Sequence, residues 1–139
     1  MKVLFICTGN TCRSPMAEAL FLKVAGKGHT AFSRGLAVGQ TTVSPHAVKV
    51  MKEYEADIEE HTAKPLTEAD LTEADLVLTM TKAHKRMIFS LYPGFKEKIF
   101  TLSEYVGEEG DVHDPFGGGS DEYAECARQL HDLVSRILP

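Results

Sequence analysis

The chain has 139 residues, 43% of them hydrophobic and 25% charged, with a formal net charge of −5, which fits one globular domain over residues 1–139. The acidic balance and the lack of a Lys/Arg-rich block argue against a nucleic-acid-binding protein, and no stretch is long and apolar enough for a membrane helix. Three cysteines without framework spacing argue against a secreted disulfide scaffold, so we expect a cytoplasmic protein. We also expect a monomer.

The first predicted elements are a strand, a loop and a helix. Lys2 to Ile6 is a short β-branched and aromatic run, too brief for a signal-peptide core and suited to a central strand. After the loop CTGNTCRSP, a helix is predicted from one apolar face, formed by Met16, Ala17, Leu20, Phe21 and Val24. Gly26 and Gly28 end this helix, and Thr30 to Ser33 form a second strand before a turn around Gly35.

The remaining elements continue the alternation. Ser44 and Pro45 start a helix toward Tyr54, and Thr67 caps a short helix with acidic residues in its first turn. A third strand, a helix and a fourth strand are predicted over Asp75–Met80, Thr81–Ile88 and Lys98–Leu102. A glycine-rich loop over 107–120 precedes a last helix, with a buried stripe of Tyr123, Ala127, Leu130, Val134 and Ile137. This order indicates an α/β sandwich with a parallel sheet, in which ligands bind beyond the carboxyl ends of the strands.

The segment after the first strand carries Cys7, five further residues, Arg13 and then Ser14. Neither GxxxxGK[ST] nor GxGxxG is present there, so no nucleotide loop is expected. Cys-x5-Arg alone is a weak signal, but it becomes strong between a buried strand and a helix start. Such a loop points several backbone N–H groups at one spot, where they bind a phosphate dianion and stabilise a thiolate. We predict Cys7 as a nucleophile; the alternative is an inert core thiol.

Each residue of this loop has a predicted part. Gly9 lets the backbone bend, and Asn10 tolerates a left-handed conformation. Arg13 offers a planar fork for two phosphate oxygens and for charge that builds in the transition state. Ser14 can donate a hydrogen bond to the Cys7 sulfur. The predicted phosphate-binding residues are Thr8, Gly9, Asn10, Thr11, Cys12, Arg13 and Ser14.

CTGNTCRSP followed by MAEALF, with DP near the C-terminus, resembles the low-molecular-weight protein tyrosine phosphatases over nearly the whole chain. The resemblance implies a single-domain three-layer sandwich with a four-stranded parallel sheet flanked by helices. It also implies a phosphocysteine intermediate and no metal or other cofactor. Asn10, Ser14, Ser33 and His61 would form a polar network that shapes the loop. The alternative for His61 is an exposed loop histidine.

Phosphoryl transfer from a substrate to Cys7 needs a proton donor for the leaving group and later a base for water. The candidate is Asp114 in HDPFGGG, where Pro115 stiffens the turn and the glycines let the loop approach the pocket. A plain Asp-Pro turn is the alternative. The resemblance favours Asp114 as the general acid and base over nearby Asp111, and makes His113 a neighbour.

Two positions depart from the tyrosine-specific pattern. Thr11 stands where that branch carries an aliphatic residue, and Phe116-Gly117 stand where it carries two aromatics. The pattern resembles the bacterial protein arginine phosphatases. Thr11 Oγ1 can hydrogen-bond near a phosphoramidate nitrogen, Phe116 can stack on a guanidinium, and Asp114 can protonate the departing nitrogen. The expected partners are therefore arginine-phosphorylated proteins, or tyrosine-phosphorylated proteins if Thr11 is a neutral variant.

The other cysteines leave further hypotheses open. The resemblance suggests a reversible Cys7–Cys12 disulfide that shields the nucleophile, against simple packing of Cys12. An arsenate reductase of the same fold needs two further cysteines on a mobile segment, and only Cys126, expected in the core, lies beyond the loop. A non-catalytic phosphate-binding module is the remaining alternative, and it would not need Asp114.

Overall fold

Four parallel strands form the central sheet, in the spatial order β2-β1-β3-β4. They are β1 (Lys2–Cys7), β2 (Thr30–Gly35), β3 (Leu76–Thr79) and β4 (Ile99–Thr101). The computed structural model describes all residues from 1 to 139. In the register, Lys2 pairs with Thr30, Val3 with Leu76, and Val77 with Ile99. Strand β1 therefore has a neighbour on each side, and its last residue, Cys7, ends the most protected part of the sheet.

Six α-helices connect and follow the strands: α1 (Arg13–Ala25), α2 (Pro45–Glu53), α3 (Glu68–Glu73), α4 (Lys82–Leu91), α5 (Leu102–Tyr105) and α6 (Ser120–Val134). A 3₁₀-helix lies at Pro93–Lys98, between α4 and β4. None of these helices is long and apolar enough to cross a bilayer. Parallel neighbours need crossovers, and the helices supply them.

Two hydrophobic cores lie on opposite faces of the sheet, because successive side chains of a strand alternate in direction. Val3 and Phe5 belong to the larger core, together with side chains from α1, α2 and α6. Leu4 and Ile6 belong to the smaller core, with side chains from α3 and α4. The three-layer α/β sandwich predicted from the sequence is confirmed.

Local capping explains where the helices of the smaller core begin. Thr67 Oγ1 accepts from the backbone N–H of Asp70, whose carboxylate accepts in return from the N–H of Thr67. Thr81 Oγ1 accepts from the N–H of His84 in the same way at the start of α4. Ser44 precedes α2 as predicted, but its side chain makes no capping bond. Its N–H instead donates to the carbonyl of Thr11 at 2.8 Å, which ties α2 to the loop after β1.

Several boundaries differ from the sequence prediction. Strand β2 continues to Gly35, which the sequence placed in a turn, because Gly35 still pairs with Cys7. Val24 was expected in the apolar face of α1, yet 44% of it is exposed, since the last turn of the helix extends beyond the core. Helix α4 runs past Ile88 to Leu91, and the short helix α5 was not predicted.

Candidate active site

The loop between β1 and α1 is held by backbone bonds to the segment after β2. The N–H groups of Leu36 and Ala37 donate to the carbonyls of Cys7 and Thr8, at 3.1 and 2.8 Å. Asn10 adopts the left-handed conformation, with φ of 57°, as the sequence predicts. Gly9 lies in a bend as predicted, but the bend does not require glycine, because Gly9 does not adopt a positive φ and a Cβ there would meet only Thr11 Oγ1, at 3.5 Å.

The sulfur of Cys7 receives two polar contacts. Ser14 Oγ lies 2.9 Å from Cys7 Sγ, and the N–H of Asn10 donates to the same sulfur at 3.3 Å. Asn10 Nδ2 donates to Ser14 Oγ at 2.8 Å, which leaves the Ser14 hydroxyl hydrogen free to point at the sulfur. All three residues are buried. The arrangement can stabilise negative charge on Cys7 Sγ.

A second group of contacts supports the loop from behind. Asn10 Oδ1 accepts from the N–H of Lys64 at 3.0 Å. His61 Nε2 lies 3.0 Å from the carbonyl oxygen of Asn10, and since a carbonyl only accepts, Nε2 carries the hydrogen. Ser33 was predicted to belong to this network, but it does not. Its hydroxyl donates at 2.6 Å to Glu18 Oε1, because α1 brings that carboxylate over β2.

The loop also presents unused hydrogen-bond donors. The backbone N–H groups of Thr8, Gly9, Thr11, Cys12 and Ser14 donate to no protein atom. Arg13 is buried in the first turn of α1, where a cation is unfavourable beside the positive end of the helix dipole. Its Nη1 donates to the carbonyl of Val112 at 3.1 Å, while its Nε has no protein partner. A bound dianion would use these donors and offset the charge of Arg13.

Asp114 approaches this centre from the loop before α6. Its Oδ2 lies 3.5 Å from Arg13 Nη2, and its Oδ1 accepts from the N–H of Phe116 at 3.0 Å. Gly117 has a φ of 85°, which a side chain rarely tolerates, so the turn after Phe116 requires glycine. One carboxylate oxygen therefore shapes the loop, and the other faces the guanidinium of Arg13.

Eight of the predicted residues meet in one pocket of about 290 Å³. Its walls include most of the predicted site, namely Cys7, Thr8, Gly9, Thr11, Cys12, Arg13, Asp114 and Phe116. Three residues that the sequence did not indicate complete the wall, Ala37, Gly39 and Gln40. Phe116 is 75% exposed, so its ring stands at the pocket with little else packed on it. Such a pocket combines a buried anion site with an exposed aromatic face.

The three cysteines are all free and buried. Burial, together with negative charge on nearby Cys7, raises the pKa of the Cys12 thiol to about 12. Burial likewise raises the pKa of Cys126, on α6, to about 12. Cys12 and Cys126 therefore remain protonated thiols near neutral pH, which leaves Cys7 as the candidate nucleophile.

Two residues support the loop without any local signal in the sequence. His84 Nε2 lies 2.8 Å from Thr8 Oγ1. Gly35 packs so closely that a Cβ there would lie 2.7 Å from the Thr8 carbonyl oxygen and 3.1 Å from Asn10 Cβ. Both contacts join segments far apart in the chain, so no short pattern could have revealed them.

Comparison with known proteins agrees with this geometry. The model of the family described as low molecular weight phosphotyrosine protein phosphatase matches residues 2–138. The chain is 44% identical to the protein-arginine-phosphatase of Bacillus subtilis (strain 168), over 99% of this chain and 94% of that protein. A low molecular weight protein tyrosine phosphatase from T. tengcongensis matches with a TM-score of 0.94 and 48% identity, over 99% and 97% of the two chains. A mutant of the YwlE arginine phosphatase with a phosphorylated active site serine matches with a TM-score of 0.93 and 42% identity, over 99% and 93%.

Proposed function

The chain belongs to the low molecular weight phosphotyrosine protein phosphatase family, and from this premise we propose that it hydrolyses phosphoarginine in proteins. The observation that carries the proposal is one pocket lined by Thr11, Asp114 and Phe116 together with the buried Cys7. The phosphoryl group would bind to the free N–H groups of the loop and to Arg13.

In the first step, the Cys7 thiolate attacks the phosphorus atom, and an S–P bond forms as the P–N bond of phosphoarginine breaks. The electron pair of that bond goes to the guanidine nitrogen, which takes the proton of Asp114 and leaves as arginine. The position of Asp114 Oδ2, 3.5 Å from Arg13 Nη2, supports this role, because the carboxyl already reaches the region where Arg13 would hold the phosphoryl group. Charge on the transferring phosphoryl oxygens is stabilised by Arg13 and the loop donors.

In the second step, water attacks the phosphocysteine and Asp114, now a carboxylate, takes a proton from it. An O–P bond forms, the S–P bond breaks, and the electron pair returns to Cys7 Sγ as the thiolate. The contacts from Ser14 Oγ and the N–H of Asn10 stabilise that leaving thiolate. The YwlE structure with a phosphorylated active site serine supports a covalent intermediate of this kind.

The choice of arginine depends on pocket chemistry, because relatives named for arginine and for tyrosine are similar to this chain at 44% and 48% identity. A guanidinium is planar and donates hydrogen bonds, whereas a phenyl ring donates none from its edge. Thr11 Oγ1 can accept from it, Asp114 can pair with it, and Phe116 can stack on its face. A polar site discriminates against a ligand that leaves its polar groups unpaired.

We also propose that oxidation switches the enzyme off reversibly. A peroxide would oxidise the Cys7 thiolate to a sulfenic acid, with one peroxide oxygen transferred and the other released as water. The Cys12 thiol would then condense with the sulfenic acid, forming a disulfide and a second water. Support comes from the pocket, because Cys7 and Cys12 both line it.

Initial rates on a phosphoarginine peptide and a phosphotyrosine peptide of matched sequence test the proposed substrate. We expect the wild type to prefer phosphoarginine, Thr11→Ile to weaken that preference, and Cys7→Ser to abolish turnover. Faster hydrolysis of phosphotyrosine by the wild type would contradict the arginine assignment while leaving a tyrosine phosphatase. No turnover of either peptide by fresh, reduced enzyme would favour a phosphate-binding module.

A further inference from the structure

His84 reaches from α4 to the residue that follows the nucleophile. Its Nε2 lies 2.8 Å from Thr8 Oγ1, and Thr8 lines the pocket next to Cys7. The backbone of His84 is fixed as well, because its main-chain N–H donates to the capping hydroxyl of Thr81 at 3.1 Å. His84 itself does not line the pocket. Any effect of His84 on the site therefore passes through the Thr8 side chain.

The protonation state of His84 follows from its surroundings. Burial, with the positive charge of Arg13 nearby, lowers the pKa of His84 to about 4, although the carboxylates of Asp111 and Asp114 act in the opposite direction. The ring is therefore neutral near neutral pH and carries one N–H. His84 is only 7% exposed, and its Nδ1 is buried without a partner.

These facts select one tautomer. A hydrogen on Nδ1 would leave a buried N–H without an acceptor, which is rarer in folded proteins than an acceptor without a full set of donors. A hydrogen on Nε2 instead donates to Thr8 Oγ1, and the unprotonated Nδ1 is the atom left without a partner. Thr8 Oγ1 then accepts from His84, so its own hydrogen must point elsewhere.

The Thr8 hydroxyl has no other side-chain or backbone partner in the protein. Thr8 is exposed and lines the pocket that holds the buried sulfur and Arg13, so its hydroxyl hydrogen is free to donate to a group bound there. The Thr8 main chain is also constrained, since its carbonyl accepts from Ala37 at 2.8 Å. A hydroxyl held at both its backbone and its oxygen is a preorganised donor.

Given the phosphoryl transfer proposed above, on which this inference rests, we propose that His84 is a positioning residue that turns the Thr8 hydroxyl hydrogen toward a phosphoryl oxygen. Thr8 touches the reacting group, and His84 acts only through Thr8. The hydrogen bond from the Thr8 hydroxyl to the phosphoryl oxygen strengthens as charge on the phosphoryl oxygens is redistributed in the transition state. Loss of this bond therefore lowers kcat more than it raises KM.

A double-mutant cycle on Thr8→Val and His84→Phe tests the coupling, with kcat and KM measured on the substrate that the wild type prefers. We expect each single variant to lower kcat about tenfold or more, as the loss of a hydrogen bond to a charged group does. The double variant should lose little beyond either single variant, because both remove the same interaction. His84→Gln keeps an N–H near the position of Nε2 and should recover most of the lost rate.

The ¹⁵N shifts of the His84 ring give a readout that is independent of turnover, and they should report a neutral ring protonated at Nε2. A ring protonated at Nδ1, fully additive losses, or wild-type kcat in His84→Phe would each overturn the proposal. If the wild type hydrolyses neither phosphoarginine nor phosphotyrosine, the proposed function has failed and the same cycle is run on binding of inorganic phosphate. Weaker phosphate binding in both single variants, with no further loss in the double variant, would still support the coupling of His84 to Thr8. Unchanged phosphate binding would refute that coupling.

Discussion

The carboxylate of Asp114 lies 3.5 Å from the guanidinium of Arg13, one on an exposed loop before the last helix and the other buried in the first turn of α1. The pair places phosphate binding next to proton transfer, since in the proposed mechanism Arg13 holds the phosphoryl group and Asp114 transfers the proton. It also means that Asp114, whenever it is a carboxylate, places a negative charge beside the anion site. Removing that charge should therefore separate binding from catalysis.

Asp114→Asn should lower kcat by about 10²- to 10⁴-fold, the usual contribution of a general acid or base. Phosphate should bind at least as tightly as to the wild type, because the substitution removes a like charge. Steady-state rates and calorimetric titration with inorganic phosphate measure the two effects. Asp111→Asn is a matched control, since Asp111 Oδ1 accepts from the N–H of Lys82 and does not line the pocket. An equal loss in both variants would contradict the role of Asp114.

Ser14→Ala should slow hydrolysis of the phosphocysteine more than its formation. The substitution removes the hydroxyl 2.9 Å from Cys7 Sγ, so the thiolate becomes a poorer leaving group, and we expect a loss of about tenfold or more. Rapid quench and intact-protein mass spectrometry should show more phosphoenzyme at steady state than in the wild type. Ser135→Ala, which removes a hydroxyl bonded to His131 at the end of α6, should behave as the wild type. Reduced phosphoenzyme in Ser14→Ala would contradict this account.

Gly35→Ala should lower both stability and activity. The new Cβ would lie 2.7 Å from the Thr8 carbonyl oxygen and 2.8 Å from Val38 Cγ2, so the loop must shift. Overpacking of this kind costs about 1–3 kcal/mol in the free energy of unfolding. Urea unfolding and kcat/KM measure the two losses. Gly94→Ala is the matched control, since a Cβ there meets nothing within 4 Å; a Gly35→Ala enzyme as stable and active as this control would show that the close approach is unimportant.

The stability of the wild type should fall as the pH is lowered from 6.5 toward 4, in part because of His84. In the unfolded chain, His84 has its ordinary pKa of 6.5. In the folded chain, burial lowers the pKa of His84 to about 4. Between these values the unfolded state binds more protons, so acid favours unfolding, by an amount on the order of 2–3 kcal/mol from this group. Urea unfolding at several pH values, compared with His84→Gln, isolates the effect. Parallel curves for the two proteins would refute it.

Cys12→Ser should make inactivation by hydrogen peroxide irreversible. Without the Cys12 thiol, the sulfenic acid on Cys7 has no partner in the loop and oxidises further to forms that thiols do not reduce. Activity after peroxide and then dithiothreitol, with peptide mass mapping, distinguishes the two proteins. Cys126→Ala is the control, because Cys126 lies on α6 outside the loop and does not line the pocket. Full recovery of Cys12→Ser would exclude the proposed disulfide.

Much of this protein follows from contiguous stretches of sequence. The alternation of strands and helices, the cap at Thr67 and the left-handed Asn10 depend on residues a few positions apart, and each was predicted and then observed. The loop from Cys7 to Ser14 also depends on local sequence, because the end of a strand and the start of a helix make its N–H groups converge. Local interactions are determined by neighbours in the chain, so a single sequence carries them.

The contacts that finish the site depend on the tertiary structure alone. The sequence did not indicate that His84 would lie 2.8 Å from Thr8, that Val112 would accept from Arg13, or that Gly35 would be pressed against the loop. The network that the family resemblance implied for Ser33 was also wrong, because the packing of α1 over β2 brings Glu18 to that hydroxyl. Each of these contacts depends on how whole elements are placed by the two hydrophobic cores, and that placement is a property of the complete fold rather than of any segment.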